Sequence, residues 1–111
     1  MQFAVIARAT DTSSLPPQAQ VALPKKTFEM LASRQERRIK AVYPFAGERA
    51  GIFLIEVDTA DELQEVMGGL PFAPLARMEV HPVGTVQGTL KTLEKAEQSL
   101  AELVAAGTAH R

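Results

Sequence analysis

The side chains able to move a proton near neutral pH are few in this chain, and they sit on two short apolar runs. Glu56 lies near the end of GIFLIEV (51–57), and Glu79 and His81 alternate within ARMEVHPV (76–83). In an extended strand, residues two apart share a face, so Glu79 and His81 present a carboxylate and an imidazole side by side. Arg8, near the end of the first apolar stretch, carries a charge that persists at every relevant pH and can grip a carboxylate. Tyr43 is the sole tyrosine and can hydrogen-bond a ligand oxygen. A base drawn from Glu56, Glu79 or His81, with Arg8 as anion clamp, is the outfit of proton transfer on a small carboxylated molecule. The competing account of the same residues is structural: an ion-pair cluster at an interface rim, a satisfied interface histidine and a half-buried strand tyrosine.

Other chemistries find no parts. A metal site needs at least three ligands, and the only histidine besides His81 is His110 in the C-terminal tail. The chain has no cysteine, so thiol catalysis and disulfides are excluded, which fits a cytoplasmic setting. No Gly-x-Ser-x-Gly elbow is present, and Gly68-Gly69 lacks the spacing of a phosphate-binding loop. Net charge is -1, which gives no general attraction to nucleic acid or anionic membrane. The basic cluster Arg34, Arg37, Arg38 and Lys40 is interleaved with Glu29, Glu36 and Glu48 and has few aromatics near it. It reads as a solvated helix end rather than a nucleic-acid surface. The opening MQFAVIARAT is too short for a signal peptide or a membrane span and reads as a strand.

The elements that must position these residues follow from pattern. At 111 residues, 46% hydrophobic and 23% charged, the chain has the size and composition of one globular domain. Residues 2–8 form a first strand, and Thr10–Ser14 a polar turn. Pro16 and Pro17 suit the first turn of a helix, with a break or kink expected at Pro24 and firm helix from Lys25 to about Glu36. Residues 39–45 form a second strand, placed at a sheet edge by Pro44. The run GIFLIEV is the third strand. Thr59 opens a second helix with Asp61 and Glu62 in its first turn, Gly68-Gly69 ends it, and ARMEVHPV is the fourth strand. The order β-α-β-β-α-β is the ferredoxin-like α+β pattern. Leu90 to Ala106 adds a helix with a stripe of Leu93, Ala96, Leu100 and Leu103, capped by Gly107. Residues 1–86 are thus one domain and residues 87–111 a helical extension. The stripe of that extension should pack across a dimer or onto a neighbouring dimer.

Period-two sorting gives the sheet two faces. Phe3, Val5, Ala7, Phe53, Ile55, Val57, Met78 and Val80 should meet the helices. The other face carries Ile6, Ile52 and Leu54 between charged ends, which is too apolar for open solvent and implies a homodimer or higher homo-oligomer. With the first and third strands adjacent and parallel, Arg8 and Glu56 would reach the same end of the sheet, and Arg77 or Glu79 would approach it.

Residues 1–84 resemble the muconolactone isomerase family. The resemblance rests on Ala46-Gly47 before the third strand, the short acidic helix from Thr59, the turn Leu70-Pro71-Phe72-Ala73-Pro74, Glu79-Val80 in the last strand, and Phe3 and Val5 in the first. It implies a subunit whose open sheet face closes against a second subunit as a dimeric α/β-barrel. It further implies a cofactor-free isomerase of aromatic compound catabolism, shifting a double bond in a small carboxylated lactone. The alternative for the same fold is a non-catalytic oligomeric module that binds a small ligand or a partner protein.

Overall fold

The computed structural model describes residues 1–11 and 14–109, with side chains described as far as Gly107. The middle of the turn expected at Thr10–Ser14, and His110, lie outside the described residues. The elements are β1 (Gln2–Ala9), α1 (Pro17–Ala32), β2 (Ile39–Pro44), β3 (Ala50–Glu56), α2 (Ala60–Gly68), a 3-10 turn at Ala73–Leu75, β4 (Ala76–Val83) and α3 (Val86–Ala109). One four-stranded sheet has the order β2-β3-β1-β4, which is the ferredoxin-like arrangement followed by an extra helix.

The direction of β3 differs from expectation. β1 pairs antiparallel with both β3 and β4. The physical reason is topological. A strand-helix-strand crossover returns β2 in the same direction as β1 and leaves a gap beside it; β3, turning back from β2 through a hairpin, fills that gap in reverse. Arg8 therefore stands opposite Ala50, and Glu56 opposite Gln2. The six-residue step between those pairs puts Arg8 and Glu56 about 20 Å apart at opposite ends of the sheet.

The alternation of faces holds where strands are central. Val5, Ala7, Phe53, Ile55 and Val57 are buried beneath the helices with Leu63, Val66 and Leu70 of the α2 region. Met78 is half-buried against this core, but Val80 is exposed, because β4 is an edge strand and no helix reaches over it. β2 occupies the other edge, as Pro44 requires. The opposite face leaves Ala4, Ile6, Ile52 and Leu54 half-buried with no helix over them.

Local signals set the helix ends. The Thr59 hydroxyl accepts the Glu62 N–H at 3.2 Å, and the Glu62 carboxylate accepts the Asp58 N–H at 3.1 Å, a reciprocal cap. In α1, Pro17 takes the first position, where its missing N–H costs nothing. Pro24 does not break the helix: α1 runs through it as one element and ends at Ala32, short of Glu36. Three residues on, Thr27 is fully buried; its hydroxyl donates to the Leu23 carbonyl at 2.9 Å and accepts the Phe72 N–H at 2.9 Å. That hydroxyl pins α1 to the turn after α2, where the Phe72 ring meets Phe53 edge-on at 6.0 Å.

α3 is longer than expected at both ends, and Gly107 lies within it rather than capping it. Every side chain from Val86 to Gly107 is exposed, including Leu93, Leu100 and Leu103. The subunit measures 74 Å in its longest dimension. No described helix is long and apolar enough to cross a membrane.

At the start of β2, Arg38 donates to Glu36 from Nε at 2.8 Å and from Nη2 at 2.9 Å, and reaches Glu65 of α2 at 3.5 Å. The Arg38 hydrogen bonds hold the Glu36 carboxyl below its ordinary pKa of 4.5. A carboxyl depressed in the folded state stabilises above its unfolded pKa and loses that contribution as pH falls through the folded value. Glu36→Gln should therefore lower Tm near neutral pH, and the gap from wild type should close below about pH 4; a gap undiminished in acid contradicts this. Thr27→Val keeps shape but strands the Phe72 N–H against a fully buried side chain, so urea unfolding should show a loss of about 1–3 kcal/mol, with Thr27→Ser losing less. A Val variant as stable as wild type would show that the hydroxyl pins nothing.

Candidate functional site

A cavity of about 290 Å³ opens between the middle of α1 and the end of the sheet where β1 stops. Its walls are mostly apolar: Pro24 and Phe28 from α1, Ala7 and Phe53 from the sheet, Phe72 and Leu75 from the segment before β4. Gln20, Arg8, Glu48 and Arg49 supply the polar groups. An apolar chamber with a few convergent polar groups is the usual form of a small-molecule site, and its volume sits near the low end of the ordinary range of about 300–1,000 Å³.

The hairpin between β2 and β3 builds the mouth. Gly47 has φ +78, a left-handed conformation that glycine adopts without strain. The turn carries Glu48 and Arg49 back over the end of β1, where the Ala9 N–H donates to the Arg49 carbonyl at 2.9 Å. Close approach needs Gly51 as well, since a Cβ there would lie 3.1 Å from the Tyr43 carbonyl oxygen. Arg8 then donates to Glu48 at 2.6 Å, with both side chains about half exposed. Arg77, directly opposite Arg8 in β4, joins Arg8, Arg49, Glu48 and Asp11 around a wider polar recess beside the mouth. Three arginines against two acids make this entrance suited to an anion.

The residues singled out from sequence divide. Arg8 lines the cavity. Glu56 does not, being at the far end of the sheet, where its backbone N–H donates to the Arg38 carbonyl at 2.8 Å. Glu79 and His81 do share a face of β4, His81 Nε2 lying 3.1 Å from Glu79 Oε1. They stand opposite Ile6 and Ala4 on the open sheet face, away from the cavity. Tyr43 is paired with Ile52 and exposed on that same face, not half-buried. Sequence reasoning did not select Glu48, the one carboxylate among the described residues that lines the cavity. The signal available for it was its place directly after Ala46-Gly47, but which strand end that hairpin folds over depends on strand direction. Among the described residues, no group of three or more His, Asp or Glu is arranged to hold a metal ion.

The family model described as muconolactone delta-isomerase matches residues 1–89. Among solved structures, a muconolactone isomerase at 3.3 Å resolution superposes with a TM-score of 0.65 at 20% identity, covering 77% of this chain and 90% of that one. The 5-chloro-2-hydroxyhydroquinone dehydrochlorinase of Burkholderia phenoliruptrix AC1100, in complex with 2,5-dihydroxybenzoquinone, superposes with a TM-score of 0.58 at 18% identity, covering 79% and 98%. At these identities the likeness is one of fold. No curated protein sequence matches the chain.

Proposed function

The chain belongs to the muconolactone delta-isomerase family, and from that premise we propose that it takes a small carboxylated ring compound into the cavity under α1. The observation that carries this reading is the joint presence of an apolar chamber of about 290 Å³ and an arginine-rich mouth. One solved neighbour is named a muconolactone isomerase and another is complexed with 2,5-dihydroxybenzoquinone, so the fold accommodates small oxygenated rings in its relatives. Arg8 would bind the ligand carboxylate in place of its present partner Glu48. Glu48, released from that ion pair at the edge of a mostly apolar chamber, would then take a proton from one ring carbon and return it to another. The double bond shifts, the carboxylate ends ionised as it began, and no cofactor is consumed. Glu79, His81 and Glu56 would serve only if another subunit closed a second chamber over the open sheet face.

One observation favours a second reading, binding without turnover. Among the described residues Glu48 is the only carboxylate on the cavity and no histidine or tyrosine joins it, and its side chain is 52% exposed. The two readings part on turnover of muconolactone and related lactones, followed by proton exchange with heavy water. For the isomerase, Glu48→Gln should lower kcat by about a hundredfold or more, while Arg8→Met should chiefly raise KM. Glu56→Gln and His81→Asn should leave both nearly unchanged. If Glu56 or His81 carries the loss instead, the site lies elsewhere; if lactones bind but exchange no proton, the module reading stands.

The partly covered Ile6, Ile52 and Leu54 face supports a homodimer through the sheet. Light scattering at micromolar concentration should give at least twice the subunit mass, and Leu54→Arg should lower it. A monomeric wild-type mass would contradict the assembly.

A further inference from the structure

Two surfaces of this chain are complementary in character. The first is the C-terminal half of α3. Leu100 and Leu103, spaced to share one helix face, are 63% and 69% exposed. The only charged residues from Glu97 to Gly107 are Glu97 and Glu102, so this half is apolar and acidic. The second is an open groove of about 710 Å³ between the C-terminal end of α1 and the edge strand β2. Leu31, Ile39 and Val42 give it apolar walls, and Arg34, Arg37 and Lys40 line it as well. Among the described residues none of these three cations has an ion-pair partner, whereas Arg38 is committed to Glu36 and Glu65. Arg34 is held in place at the end of α1 with φ 53, its N–H donating to the Leu31 carbonyl at 3.1 Å.

We propose that the acidic, leucine-bearing half of α3 from a second copy of this chain seats in the basic, apolar groove between α1 and β2. Charge and apolar character are complementary across the pair. The chain's own α3 is badly placed to fill its own groove. It begins three residues after β4, at the sheet edge opposite β2, about 14 Å away across three strand spacings. It also runs exposed along its length in a subunit 74 Å long. A two-fold pair in which each copy lends its helix to the other uses both surfaces twice and closes the assembly. Doubling the contact also moves the buried area toward the roughly 1,200 Å² that stable interfaces need. Because the family match ends at residue 89, most of this helix lies beyond it, and the contact is a feature of this chain's own extension.

The chain has no cysteine, so engineered thiols report contacts without background. Ala32→Cys places a thiol on the groove, and Leu103→Cys places one on α3; both positions are exposed. The two single variants, co-expressed with different tags and checked by melting curve, should form a mixed disulfide dimer under mild oxidation and little of either self-linked dimer. Adding Glu97→Lys and Glu102→Lys to the Leu103→Cys chain should slow that cross-link roughly tenfold at low salt. Adding Arg37→Glu and Lys40→Glu to the Ala32→Cys chain should restore it. Leu103→Cys linking mainly to itself would mean that α3 pairs with α3. Closure within a single chain carrying both thiols would place the helix in its own groove. Either result, or the absence of any cross-link between folded variants, overturns the proposal.

Discussion

β1 is hydrogen-bonded along both edges to strands that run against it, with Arg8 opposite Ala50 on one side and Arg77 on the other. That double antiparallel pairing decides which residues can meet. It gathers the end of β1, the turn between β2 and β3 and the start of β4 at one end of the sheet, and sends Glu56 to the other. An arginine from each of the three segments converges there, beside Glu48, the only cavity-lining carboxylate among the described residues. The Thr27 hydroxyl does for the third dimension what the register does within the sheet. By holding α1 to the Phe72 backbone it fixes the roof of the cavity over Phe53. Site and core are thus the same construction: a buried sheet face that is packed solid under α2 and left open under the middle of α1.

Much of this was legible residue by residue where a signal is local. Thr59 with Glu62, the pair Gly68-Gly69, and Pro44 on an edge strand each act within one turn or one strand, and each element begins or ends where they indicate. Pro24 does not break α1, although a proline removes one hydrogen bond and strains one turn, at about 3 kcal/mol. The buried Thr27 one turn later, with its long-range bond to Phe72, helps hold α1 against that cost. Gly107 lies within α3 for a simpler reason: a glycine costs an exposed helix only about 1 kcal/mol, so it need not end one. Val80 alternates correctly but belongs to an edge strand, and alternation carries no information about which strands lie at an edge.

The site was less legible than the fold because it depends on strand direction. Arg8 and Glu56 come together only if β1 and β3 are parallel, and nothing in either segment reports that. Glu48 follows Ala46-Gly47 directly, but that place in sequence does not say which strand end it covers; the hairpin geometry set by Gly47 turns it over the end of β1. Glu79 and His81 were rightly placed on one strand face, and their 3.1 Å contact follows from period two alone. What periodicity could not supply was the fact that this face is the one without helices.

Amide chemical-shift mapping locates a bound ligand without requiring turnover. On titration of the labelled protein with muconolactone, the largest shifts should fall on Arg8, Gln20, Gly51, Phe53 and Phe72, around the cavity under α1. Shifts concentrated instead on Ala4, Ile6, Leu54 and His81 would place the ligand on the open sheet face and contradict the cavity as the site.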